Sequence, residues 1–147
     1  MANKYLQGYY TLRNPSKYIG DPQKVRFMSS WEFEAHRFFD TNARVVKWSS
    51  EPFGIPYIKP TDGKIHKYYV DYYCEYIDSD GVIHKELVEL KPMSQVKPPS
   101  NRITKNSLYN GITYAVNMAK WEAAHNYCKS QNMQFRIITE ASVFGSK

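Results

Sequence analysis

The 147-residue chain has only two cysteines, Cys74 and Cys128, and neither belongs to a CxxC pair. That excludes a disulfide framework and gives no sign of structural zinc, so both thiols are expected as reduced core residues. The four histidines, His36, His66, His84 and His125, fall in separate elements and form no HExxH motif, so the clustered N or S ligands of a zinc site are not expected. No apolar run approaches the roughly 18 residues of a membrane span, and the N-terminal MANKYLQGYY lacks the apolar centre of a signal peptide. An intracellular, soluble protein is therefore expected. Low-complexity linkers and internal repeats are missing too, and a single domain is expected over 1–147, with a basic arm at about 1–28.

Acids are scarce in two places. Between Leu90 and Trp121 there is none, while Lys91, Lys97, Arg102, Lys105 and Lys120 fall inside; residues 1–30 carry Lys4, Arg13, Lys17, Lys24 and Arg26 against Asp21 alone. With a net charge of +6 and thirteen tyrosines, these segments suit a phosphate backbone, and a merely solvated basic face is the alternative. Hydrophobic residues at 42% and aromatics at 16% are far from the composition of a disordered chain.

The pattern then orders the elements. SSWEFEAHRFFDTN predicts a helix from Ser29 or Ser30 to near Asn42, with Trp31, Ala35, Phe38 and Phe39 as its apolar stripe. Short strands are expected at 43–48 and 54–58, a turn at 61–64, and two long strands at about 66–77 and 82–91 joined by DSDG. Leu108, Ile112, Ala115 and Val116 mark a helix over 102–116, Asn117 is placed to cap a second over 118–131 with Trp121, Ala124 and Cys128 buried, and FRIIT at 135–139 is the last strand. A helical crossover between the last two strands makes them parallel, so the sheet is expected to be mixed.

The DSDG hairpin raises the central question. A three-residue loop with Gly81 in the left-handed region sets Asp78 against Val82, Glu75 against Lys85, Tyr73 against Leu87, Tyr72 against Val88 and Val70 against Leu90, pairs that are opposite in charge or apolar. The same register puts Asp71 directly opposite Glu89. Carboxylates about 5 Å apart repel by roughly 3 kcal/mol at an effective dielectric near 20. Lys91, two residues along on the face of Glu89, can offset part of this, and a hard divalent cation such as Mg2+ or Mn2+ can offset more. An exposed ion-pair cluster at the sheet end is the other reading.

VDYY with Asp71, VELKP with Glu89 and Lys91, and an upstream helical Glu32 together resemble the PD-(D/E)XK nuclease superfamily. Over nearly the whole chain, SKYIGDPQKVRFMSSWE, WSSEPFGIPY, KYYVDYY, VELKP and KWEAAHNYCKSQNMQFRIITE resemble the head completion nucleases of T-even-like tailed phages. TnsA-type transposase endonucleases and Holliday-junction resolvases share the sparse motif alone. Val70 stands where the superfamily's naming proline would be. The resemblance implies an α/β, restriction-endonuclease-like core, a central mixed β-sheet in αβββαβ order flanked by helices. It implies a Mg2+-dependent DNA nuclease, with Mn2+ as an alternative ion, acting after DNA packaging and before tail joining. Asp71, Glu89 and the main-chain carbonyl of Leu90 would hold the metal, and Lys91 would orient the attacking water. Glu32 would be a metal or water ligand, although Ser29 and Glu32 also form a capping box and Glu34 is a nearby rival. Lys17, Lys24, Arg26, Lys97, Arg102 and Lys105 are the candidate DNA contacts. DNA and the portal or neck proteins of the capsid would be partners, in the host cytoplasm or on the virion, with no membrane and no nucleotide cofactor. Two other readings stay open: a structural head-completion factor at the portal vertex with a degenerate nuclease fold, and a non-catalytic nucleic-acid-binding module.

Overall fold

The computed structural model describes residues 6–98 and 105–140, the side chains of 105–107 excepted. Helix α1 runs over Ser30–Thr41 and opens with a capping box: Ser29 Oγ accepts the N–H of Glu32 at 3.1 Å, and Glu32 Oε1 reaches back to the N–H of Met28 at 2.9 Å. Its buried side is Ala35, His36, Phe39 and Asp40. The expected stripe packs on the core, Trp31 and Phe38 partly buried beside Ala35 and Phe39, and two polar residues, His36 and Asp40, are buried with it. Their burial is offset by hydrogen bonds. His36 Nδ1 meets the Tyr72 hydroxyl at 2.6 Å and its Nε2 the carbonyl of Arg26 at 2.9 Å. The Asp40 carboxylate accepts from Tyr10 Oη and from the main-chain N–H groups of Arg13 and Asn14.

Those last contacts fasten the N-terminal arm to α1. Strand β1 (Gly8–Tyr9) pairs antiparallel with β2 (Arg26–Phe27), and Tyr10, Val25 and Phe27 are buried in the core.

The central sheet has the order β3 (Val45–Ser50), β6 (Tyr72–Ile77), β7 (Ile83–Leu90), β8 (Gln134–Ile138). Its first three strands are antiparallel and β8 lies parallel to β7. The mixed sheet and its helical crossover are as expected. So is the hairpin: Asp78 N–H donates to Val82 O, Gly81 N–H donates to Asp78 O, and Gly81 has φ 81°. The ladder pairs Glu75 with Lys85, Tyr73 with Leu87 and Tyr72 with Val88.

The strand expected over 66–77 is two strands. β5 (Ile65–Tyr69) leaves the central sheet and forms a separate hairpin with β4 (Gly54–Ile58), and the break falls at Val70 and Asp71. Val70 is fully buried with Leu87, Trp121 and Ala124, whereas Tyr72, Val88 and Leu90 belong to the core on the α1 side. In an unbroken strand Val70 and Tyr72 would share a face. Packing on both layers therefore bends the chain there, and the Val70–Leu90 pair does not form.

Helix α3 (Lys105–Ser130) is continuous, which corrects the expectation of two helices capped at Asn117. Asn117 is 5% exposed in the middle of the helix, and no proline or glycine near it interrupts the run. Trp121, Ala124 and Cys128 are buried as expected, and both cysteines are free and buried. Leu108 and Ile112, by contrast, are 64% and 54% exposed, so of that spacing only Val116 packs on the core. A short helix, α2 (Met93–Val96), follows β7 where only loop was expected, with Met93 N–H donating to Glu140 Oε1 at 2.7 Å.

Candidate active site

The ladder between β6 and β7 ends at Tyr72 and Val88. One residue further, where the register sets Asp71 against Glu89, the ladder is replaced by a side-chain bond: Asp71 Oδ2 accepts the N–H of Leu90 at 2.8 Å. The Asp71 carbonyl accepts the N–H of Glu51 at 2.8 Å, which ties the β3 end to the same spot. Glu89 shares the face of Leu87, the side covered by α3, and is 6% exposed. Its Oε2 lies 3.5 Å from Lys91 Nζ, and its Oε1 is buried with no hydrogen-bond partner.

Burial first, and then the charge of Glu89, push the Asp71 carboxyl up to about 8, against the pull of the Leu90 N–H and Lys91. Neighbouring like charges in a desolvated place are what a cation would relieve.

Glu32 belongs to this group and Glu34 does not. Burial raises the Glu32 carboxyl, the Met28 N–H opposes it, and Glu51 adds to the rise; Asp71 in turn feels the charge of Glu32. Glu34 is ion-paired to Arg37 on the exposed side of α1. The main-chain carbonyl of Glu32 also receives the Tyr72 hydroxyl at 3.2 Å, so the network of His36 and Tyr72 fixes the first turn of α1 over the sheet end.

Two further residues stand at the site, Glu51 and Lys120, the second marked in the sequence only as part of the acid-free basic segment. Glu51 sits in the left-handed region with φ 47°, an uncommon conformation for a residue with a side chain, held by its bond to Asp71. It lies in a loop before Pro52, where no periodicity singles it out. Lys120, half-buried on α3, places Nζ 5.7 Å from the ring centre of Tyr68 and 6.0 Å from that of Tyr57. Burial lowers its pKa, Lys91 adds to the fall, and Glu89 opposes it. Its spacing of four from the buried Ala124 and eight from Cys128 was a readable signal, since it puts an ammonium on the packed face of the helix. Tyr68 lies in the same field: burial and the charge of Glu89 raise its hydroxyl far above the usual range.

The basic residues divide. Lys17 Nζ donates to the carbonyls of Asp40 and Asn42, both at 2.9 Å, at the C-terminus of α1. These two bonds hold the partly buried Lys17 ammonium against the end of α1. Lys24, Arg26 and Lys97 are exposed. Arg102 and the side chain of Lys105 lie outside the described residues.

Among the described residues no three His, Cys, Asp or Glu side chains converge on one metal position. The carboxylates of Asp71 and Glu89 are near enough for each charge to bear on the other, and the Leu90 that follows Glu89 donates its N–H to Asp71. A small set of hard oxygens fits magnesium, which keeps several of its waters and takes one or two protein carboxylates. The buried, unpartnered Glu89 Oε1 is a lone pair available to it.

Comparison with known proteins gives a consistent result. The family model described as TnsA-like endonuclease N terminal matches residues 42–140, a span that holds Asp71, Glu89, Lys91 and Lys120 and begins after α1. A head completion nuclease of Enterobacteria phage T4 is 34% identical over 139 residues, 90% of each chain.

Proposed function

The chain belongs to the TnsA-like N-terminal endonucleases and to the head completion nucleases of phages, and from that premise we propose that it is a magnesium-dependent DNA nuclease hydrolysing phosphodiester bonds. The observation that carries the reading is the Asp71–Glu89 pair at the hairpin end, with Lys91 at 3.5 Å from one Glu89 oxygen and the other oxygen buried and unpartnered.

Asp71, Glu89 and the carbonyl of Leu90 would hold the ion, Mg2+ or in its place Mn2+, with Glu32 reaching it directly or through water. Bound there, a divalent ion supplies Lewis acidity to the phosphate and to the attacking water. Lys91, directly after β7, orients the water and meets the charge that develops on the phosphate. Lys120, over the tyrosine rings of the β4–β5 hairpin, adds a second positive group on the side of Glu89. Lys24, Arg26 and Lys97 steer and hold the DNA backbone. In head completion the reaction falls between packaging and tail joining, beside the portal or neck proteins of the capsid, in the host cytoplasm or on the virion.

The test is cleavage of linear, circular and branched DNA with magnesium and with EDTA by the wild-type chain and Glu89→Ala. Cleavage confined to the wild type with magnesium supports the reading. Intact DNA in every lane contradicts it.

A further inference from the structure

On the β3 side of Asp71 the molecule opens a cavity of about 570 Å³ whose walls include Tyr18, Lys24, Ser50, Glu51, Phe53 and Tyr73. Its wall adjoins the candidate active site through the backbone: Glu51 donates its N–H to the Asp71 carbonyl, and Ser50 pairs in register with Tyr72, the residue after Asp71.

Three rings line it, and each is held by a neighbour. Tyr18 stands edge-on to Trp48 with ring centres 4.8 Å apart, and its hydroxyl accepts the N–H of Ser50 at 3.3 Å. Phe53 packs on Tyr127 at 5.3 Å, and Tyr73 donates its hydroxyl to Glu75 Oε2 at 2.7 Å. All three remain only partly buried. Rings fixed in this way present an apolar wall whose ordering cost has already been met by folding. The charges at the cavity are mixed: Asp21 and Glu51 stand against Lys24. Two carboxylates disfavour a bare phosphate, whereas aromatic walls with polar rims suit a flat heterocycle.

We propose that this cavity takes the base of an unpaired nucleotide next to the scissile phosphate, so that the enzyme acts on DNA with overhangs, flaps or extruded bases. The inference rests on the nuclease reading for its substrate. A base seated among Tyr18, Phe53 and Tyr73 anchors its own backbone phosphate beside Asp71. Stacking uses the face that every base has, so the preference is for strand structure and is tolerant of sequence.

The experiment measures binding of the full-length chain in EDTA, where cleavage plays no part. Two probes are compared, a blunt duplex and the same duplex with a single-stranded overhang whose first unpaired base is 2-aminopurine. The wild type should bind the overhang probe about tenfold more tightly and quench its fluorescence by stacking. Phe53→Leu, which keeps an apolar contact to Tyr127, should lose about tenfold in affinity for the overhang and little for the blunt duplex. Tyr18→Leu provides the same comparison should Phe53→Leu fail to fold. Equal wild-type affinity for the two probes, or a folded variant that keeps both preference and quenching, overturns the proposal. An overhang preference in EDTA that coexists with no magnesium-dependent cleavage would count against the nuclease reading alone.

Discussion

The main-chain N–H of Leu90 points at Oδ2 of Asp71, 2.8 Å away. This single bond continues the hairpin beyond its last ladder rung and fixes a carboxylate beside Glu89, on the strand end that also carries Lys91. The backbone thereby keeps the two acidic groups side by side in a buried place.

The first prediction concerns pH. The Asp71 carboxyl is raised to about 8 in the folded protein, so the folded state binds its proton more tightly than the unfolded chain does. Its contribution to stability is complete below about pH 4 and is lost as pH rises through about 8. In EDTA the wild-type Tm should fall across that window, and Asp71→Asn should flatten the fall and melt higher at pH 8. Thermal denaturation over a pH series reads both effects. Added magnesium should raise Tm in the wild type at pH 8 and leave the variant unmoved.

Lys91→Ala should keep metal binding while cleavage falls by about 100- to 1,000-fold. Single-turnover cleavage beside metal titration separates the two. A variant that cleaves normally would remove Lys91 from the chemistry.

Lys120→Met preserves the stem over Tyr57 and Tyr68 and removes the charge. Its Tm should stay near that of the wild type, and cleavage should drop by about tenfold or more. Unchanged kinetics would make the aromatic contact a packing feature.

Lys17→Ala should destabilise the fold by about 1–3 kcal/mol, since it frees two carbonyls at the end of α1, and should leave the salt dependence of DNA binding unchanged. Lys24→Ala, Arg26→Ala and Lys97→Ala should do the reverse, each reducing the slope of log K against log salt by about 1 while Tm holds. Denaturation and salt-titrated binding distinguish the two groups.

The hairpin register was legible because charge and hydrophobicity along β6 and β7 agree with one turn chemistry, and Asp71 and Glu89 followed from it. The mixed sheet was legible from the helical connection. Where the reading failed, tertiary packing overrode local pattern. Val70 looks like one more residue of a long strand until α3 is present to bury it on the other layer. Asn117 looks like a cap, yet it lies buried in the middle of one continuous helix. Sequence likewise does not reveal that the carbonyls ending α1 lie within reach of Lys17. Glu51 gives no local sign at all: its positive φ and its bond to Asp71 exist only once β3 and β6 have paired.

The most direct test of the central claim is calorimetric titration of the chain with Mn2+ at pH 7. The wild type should bind one ion per chain and release protons as it does so, because Asp71 must ionise to take part. Asp71→Asn and Glu89→Gln should each abolish the binding. A wild type that takes up no ion, or variants that bind as well as it does, would contradict the account.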